Sequence, residues 1–239
     1  MKVLIACEYS GKVRDAFINA GHDCISCDLL EGEGQYHKDH YKGDVFDIIN
    51  NTRNYEAFKN IDLLIAFPPC THLAVSGARY FEAKRKDGRQ QEGIDFFMKL
   101  INAPIDKICV ENPVPSKMAK LPKYDQIIQP YQFGHDHSKK TCLWLKNLPK
   151  LKPTKVVEVT YITTKNGHRY TKGWYNTPRN SVARSRTFIG IAKAMADQWS
   201  RMSGAYKIRH CIHCGKKDFE NFEEVLLHVK HNHMVIGSG

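Results

Sequence analysis

Ala66-Phe67-Pro68-Pro69-Cys70-Thr71-His72-Leu73-Ala74-Val75-Ser76-Gly77 closes a largely apolar run that begins at Ile61. The run reads as a buried strand, and two prolines, which cannot donate to a sheet ladder, stop it abruptly. Cys70 is thereby left on a stiff turn at the carboxyl end of a strand. In open α/β sheets that edge is where ligands bind, so the thiol is a candidate nucleophile. The plainer alternative is a small apolar side chain packed in a loop.

Upstream, the apolar stretch Lys2 to Cys7 predicts a strand that runs into Glu8-Tyr9-Ser10-Gly11. Ser10 is expected to cap a helix over Lys12 to Ala20, with Val13, Ala16, Phe17 and Ala20 on its buried face. Gly21 ends that helix, and His22 to Cys27 predicts a second strand carrying Asp28 at its end. Strand, glycine-containing turn, helix and a second strand ending in an acid is the order of a nucleotide-binding βαβ unit, in which the acid accepts from ribose hydroxyls. Cys24 and Cys27 stand three apart on a strand and so point to opposite faces, which makes them structural rather than a chelating or redox pair. Gly43-Asp44-Val45 occupies a third strand-end turn, followed by helical patterning over 51–59.

Downstream of Cys70, residues 77–89 are basic, with Arg79, Lys84, Arg85, Lys86 and Arg89. They suit a loop gripping phosphates or a solvated surface. A helix over 90–102 buries Ile94, Phe97, Met98 and Ile101. The strand Lys107 to Val110 then ends in Glu111-Asn112-Pro113, which puts an acid at a second strand end, where burial would raise its pKa toward the range useful for proton donation. Ile127 to Phe133 and Thr141 to Leu145 predict an antiparallel closing hairpin around His135, His137, Lys139 and Lys140. Past Pro149 and Pro153, Val156 to Thr163 and His168 to Lys172 flank Asn166-Gly167, the signature of a two-residue turn. This hairpin carries Lys165, Arg169, Tyr170, Lys172 and Trp174, suited to a groove or to plain exposure. Arg179, Arg184 and Arg186 precede a helix over 189–202 whose Ile191, Ala194, Met195 and Trp199 return to the core.

The chain has 239 residues and a net charge of +11, which favours a polyanionic partner. The eight cysteines lack a disulfide framework's spacing. No apolar run is long enough to span a bilayer, and the opening residues read as a strand rather than a signal peptide. The expectation is a soluble, cytoplasmic protein with no membrane partner.

Cys7-Glu8-Tyr9-Ser10-Gly11, Asp28, Gly43-Asp44-Val45, Phe67-Pro68-Pro69-Cys70 and Glu111-Asn112-Pro113 together resemble, in sequence and in order, the signatures of DNA cytosine-5 methyltransferases. The short forms commonly encoded by bacteriophages are the most similar, and the resemblance covers roughly residues 1–200. His137-Ser138-Lys139-Lys140-Thr141 falls where that family has a Gln and Arg signature, and Gly190-Ile191-Ala192 where it has Gly-Asn. The resemblance implies an α/β, Rossmann-like methyltransferase fold over 1–203, mostly parallel with an antiparallel closing hairpin, and a small target-recognition region over 147–185. It implies S-adenosylmethionine as donor, held by Cys7, Tyr9, Ser10, Gly11, Asp28, Leu29, Asp44, Val45 and Pro68. Double-stranded DNA with a flipped cytosine is the implied partner. Cys70 would be the thiolate that adds to C6, Glu111 the acid at N3, and Asn112 a residue fixing the pocket. Lys139, Lys140 or local backbone dipoles would supply the field that favours the thiolate. Two rivals stay open: the same chemistry on a modified pyrimidine or with a donor group other than methyl, and an inactive zinc-finger DNA-binding protein.

The tail is a separate unit over 207–235. Cys211-x2-Cys214-x13-His228-x4-His233 has the spacing of a Cys2His2 zinc finger, with His231 an alternative to His233. A piece this short needs structural zinc for its stability.

Overall fold

The structure is a computed structural model in which residues 1–51, 59–74, 86–178 and 180–200 are described. The basic residues Arg79, Lys84 and Arg85, most of the helix expected over 51–59, Arg179, and the whole 207–235 unit with Cys211, Cys214, His228 and His233 lie outside them.

A seven-stranded sheet organises the chain. Its strands are β1 (Lys2–Ala6), β2 (Asp23–Asp28), β3 (His40–Lys42), β4 (Leu63–Ala66), β5 (Lys107–Pro113), β6 (Gln126–Ile128) and β7 (Thr141–Lys146), in the order β3-β2-β1-β4-β5-β7-β6. All neighbours from β3 to β5 are parallel, and only β7 runs the other way. This is a Rossmann-like α/β fold. Val3 to Ala6 and Leu63 to Ala66 are wholly buried because helices cover both faces, which is why these strands read as continuous apolar runs. On one face α1 (Lys12–Asn19) packs beside α6 (Ile189–Ser200), burying Val13, Phe17, Ile191, Met195 and Trp199. On the other, α2 (Val45–Ile49) and α3 (Arg89–Ile101) bury Ile48, Phe97 and Leu100 against Leu4, Leu64 and Ile108. Cys24 and Cys27 fall in these two different cores, on opposite faces as their spacing requires.

Four expectations need correction. Ser10 does not cap α1. Gly11 is the N-cap in a left-handed conformation (φ 70°), and the Glu8 carboxylate takes the Lys12 amide at 2.9 Å while Ser10 donates its hydroxyl to Glu8. A side chain at Gly11 would put Cβ 2.4 Å from the Glu33 carbonyl oxygen, so only glycine fits. β5 does not stop at Val110 but continues through Glu111, Asn112 and Pro113, because β7 pairs with it along that length. The strand expected over 127–133 breaks after Ile128: Pro130 lacks an amide, and Pro130–Gln132 forms a 3-10 turn with the Gln132 side chain accepting from the Gln129 amide at 2.7 Å.

β8 (Tyr161–Thr163) and β9 (Arg169–Thr171) are joined by five residues, in which the Thr164 amide on the His168 carbonyl at 2.9 Å closes a three-residue loop, Lys165-Asn166-Gly167. Gly167 takes the left-handed position (φ 75°) that a three-residue loop needs. Residues 154–157 are drawn away from the hairpin because the amides of Thr154, Lys155 and Val157 donate to the Gln132 and Tyr131 carbonyls. After β9, α4 (Lys172–Asn176) and α5 (Ser181–Ser185) lead back to α6.

Arg14 on α1 is fully buried, with hydrogen bonds to Ser26 Oγ (2.9 Å), Asp15 Oδ1 (2.7 Å) and the Glu33 carbonyl. Removing a buried cation strands those partners. Arg14→Ala is expected to lower the unfolding free energy by about 3 kcal/mol in urea titrations; a loss under about 1 kcal/mol would contradict this role.

Candidate active site

The sheet order reverses between β1 and β4, and the turns that follow these two strands both lie at the carboxyl edge. Parallel pairing of β4 with β5 sets Ala66 beside Val110, so Phe67-Pro68-Pro69-Cys70 and Glu111-Asn112-Pro113 emerge side by side. Alternate residues of β5 face opposite sides. Asn112, fully buried, donates its amide to the Pro68 carbonyl at 2.8 Å, which pins the proline turn to the neighbouring strand. The Cys70 carbonyl then accepts the Leu73 and Ala74 amides at 3.0 and 2.9 Å, folding a tight turn that leaves the thiol partly exposed. Beyond it, Ser116 N–H donates to the Leu73 carbonyl at 2.8 Å and Ala74 bridges to Pro115, so the two loops run together.

Glu111 faces the other side, into an open cleft walled by Phe67, Lys139, Thr141, Arg186, Phe188 and Met195 among others. Burial pushes its carboxyl above the usual carboxylate range, opposed by the Lys139 charge and a hydrogen bond with Thr141. Lys139 Nζ also donates to the Arg184 carbonyl at 3.0 Å. Lys140 is exposed and does not line the cleft. Cys70 is not on the cleft wall; it lies three residues beyond Phe67, which is. Of the catalytic residues read from sequence, Glu111 and Lys139 are thus brought together, Asn112 acts from the opposite face, and Lys140 stands apart.

The turn after β1 supplies the adjoining edge. Cys7 adopts a left-handed conformation (φ 58°), and burial, with Asp28 and Asp44 nearby, pushes its thiol well up, so it stays protonated. Asp28 accepts the Leu30 amide at 3.0 Å through Oδ1, and Asp44 caps α2 by accepting the Phe46 amide at 2.9 Å. Val45 is buried, whereas Leu29 and Leu30 are 73% and 52% exposed and offer an apolar surface beside the two acids. Acids for hydroxyls, a left-handed turn and an uncovered apolar face fit a nucleoside-bearing ligand.

Three features of the site escaped the sequence. Glu8 is buried, and burial pushes its carboxyl up to about 7 against hydrogen bonds from Ser10 and Lys12. Arg186 lines the cleft and forks onto Glu33. Gly190 packs so closely that a Cβ would lie 1.9 Å from the Phe133 carbonyl oxygen, and its amide donates to His135 Nε2 at 2.9 Å. His135 and His137 pack on Phe188, and among the described residues no group of His, Cys, Asp and Glu could hold a metal ion.

No family model matches the chain. No curated protein matches it either. Among solved structures it is similar to a protein described as a DNA modification methyltransferase encoded within an E. coli prophage, at 16% identity and TM-score 0.44, over 67% of this chain and 53% of that one. It is also similar to the Entamoeba histolytica methyltransferase EhMeth, at 13% identity and TM-score 0.40, over 68% of this chain and 58% of that one. The chain therefore spans little more than half the length of either.

Glu8 gives the site's edge a pH dependence. Its carboxyl rises from 4.5 to about 7 on folding, so the folded state favours the proton, and stability present below pH 4.5 is lost as pH rises through about 7. Glu8→Gln is expected to flatten that fall and to gain on the order of 3 kcal/mol over the native protein at pH 8. Urea unfolding at pH 5 and pH 8 measures it, and parallel pH profiles for the two proteins would refute the assignment.

Proposed function

We propose that the protein is a DNA cytosine-5 methyltransferase. The observation that carries this reading is the β4–β5 pairing, which brings the Cys70 turn next to the stretch of β5 where Glu111, its carboxyl pKa raised, faces a cleft. The net charge of +11 suits a DNA partner.

Cytosine C5 is a poor nucleophile inside an aromatic ring. Addition of the Cys70 thiolate to C6 breaks the C5–C6 double bond and makes C5 electron-rich. Glu111, protonated more readily than an exposed carboxylic acid, donates its proton to N3 as negative charge builds there. The Lys139 ammonium at the cleft wall favours anionic species near it. S-adenosylmethionine, held along Tyr9 to Gly11, Asp28, Leu29 and Asp44, would supply the electrophilic methyl carbon. Loss of the C5 proton to solvent and of the Cys70 thiolate from C6 restores the ring, while N3 returns its proton to Glu111. Asn112 keeps the thiol's turn in place through Pro68. C6 is shielded in a stacked duplex, so the base must leave the helix to reach Cys70.

A fluorine at C5 cannot depart as a proton does, so DNA containing 5-fluorocytosine is expected to trap the native protein covalently in the presence of the donor. Cys70→Ala should form no adduct, and Glu111→Gln should lower kcat/KM by on the order of 10²–10⁴-fold. Native protein that binds DNA yet yields neither adduct nor methyl transfer would refute the reading. For residues 207–235 we propose a structural zinc site at Cys211, Cys214, His228 and His233. Elemental analysis should find bound zinc in the native chain and none in Cys211→Ser; equal metal content in both would refute it.

A further inference from the structure

The reaction proposed above needs a donor and a base held at once, and the inference that follows rests on that reading. Residues 184–188 form a strap along the cleft, to whose wall Ser185, Arg186, Thr187 and Phe188 contribute. At one end the Arg184 guanidinium lies 4.0 Å from the centre of the Trp174 ring, and its carbonyl accepts Lys139 Nζ at 3.0 Å. At the other, the Arg186 guanidinium meets both carboxylate oxygens of Glu33, at 2.7 and 3.0 Å, with its centre 5.6 Å from that of the Tyr9 ring. Glu33 is not a loose surface acid. Its amide donates to the Tyr9 carbonyl at 2.7 Å and its carbonyl accepts from buried Arg14, so its backbone moves with the turn after β1.

An ordinary exposed ion pair adds little stability. A two-point guanidinium–carboxylate fork instead fixes relative position, because both N–H···O bonds must align. We propose that Arg186 and Glu33 are positioning residues, a clasp that ties the strap walling the base cleft to the turn that would hold the donor. A ligand seated against Tyr9 fixes Glu33, Glu33 fixes Arg186, and the strap closes the wall against which the base packs. Occupancy of either site therefore strengthens binding at the other, by an equal factor in both directions.

The test uses the full chain, a short cytosine-containing duplex and S-adenosylhomocysteine as the donor-site probe. In the native protein the probe should tighten duplex binding by ~5-fold or more. Arg186→Gln, Glu33→Gln and Arg186→Lys, which keeps charge but not the fork, should each cut this to less than ~2-fold. The exchange Arg186→Glu with Glu33→Arg should restore it. Trp144 and Trp199 are buried, so acrylamide quenching of fluorescence reports chiefly on Trp174 beneath the strap. Quenching should fall on probe binding in the native protein and stay constant in Arg186→Gln. Coupling that survives the single substitutions, or is missing from native protein that binds both ligands, overturns the clasp. Should native protein bind neither ligand, the proposed reaction fails, and the clasp stands only if Arg186→Gln, without ligand, is quenched more than the native protein; equal quenching overturns it.

Discussion

Parallel pairing between β4 and β5 is the constraint on which the site depends. The two strands lie about forty residues apart in the chain, yet their register places Ala66 beside Val110 and brings both following segments out at one edge. The hydrogen bond from Asn112 to the Pro68 carbonyl turns that adjacency into a fixed relation, since it bridges the two segments just where the ladder ends. A buried amide that lost this partner would cost more than the bond contributes, which makes the joint stiff. Reversed β7 adds a second constraint by pairing with β5 through Pro113, holding Glu111 inside a ladder rather than on a loop.

Charge is distributed unevenly around this edge. The chain carries a net +11, yet Glu8, Asp28 and Asp44 gather at the turns after the first three strands. Lysine and arginine appear instead on the cleft side, with Lys139, Arg184 and Arg186, and on the hairpin, where the Arg169 guanidinium lies 4.0 Å from the centre of the Tyr161 ring. An acidic pocket repels phosphates while a basic surface attracts them. The same edge thus presents an acidic part and a basic part side by side.

Much of this was legible in the chain. Apolar runs marked β1, β4, β5 and β7 because strands buried on both faces leave an uninterrupted signal, and the stripe of Ile191, Ala194, Met195 and Trp199 marked α6. Cys70 and Asp28 could be placed at strand ends because prolines and turns punctuate those runs, whereas Glu111 lies within β5, lengthened by a pairing with β7 that local sequence does not announce. What escaped depended on partners remote in sequence. Arg14 reads as a surface residue of a helix until Ser26 and Glu33 are seen around it, and Arg186 meets Glu33 across 153 positions. Ser10 has a local pattern that does suit a cap, but Glu8 takes the Lys12 amide and the Ser10 hydroxyl donates to it instead. The hairpin loop was misjudged because Asn-Gly also suits a three-residue connection, and strand register decides between the two.

The packing of α1 against α6 carries a consequence for biogenesis. Val13 and Phe17 are covered by Ile191, Met195 and Trp199, and His22 is hydrogen-bonded to Ser200. The first described helix therefore waits for the last described one before its apolar side is shielded. During synthesis that exposed stripe is a natural target for chaperones. Premature termination anywhere before residue 189 would yield an aggregation-prone fragment rather than a shortened folded protein.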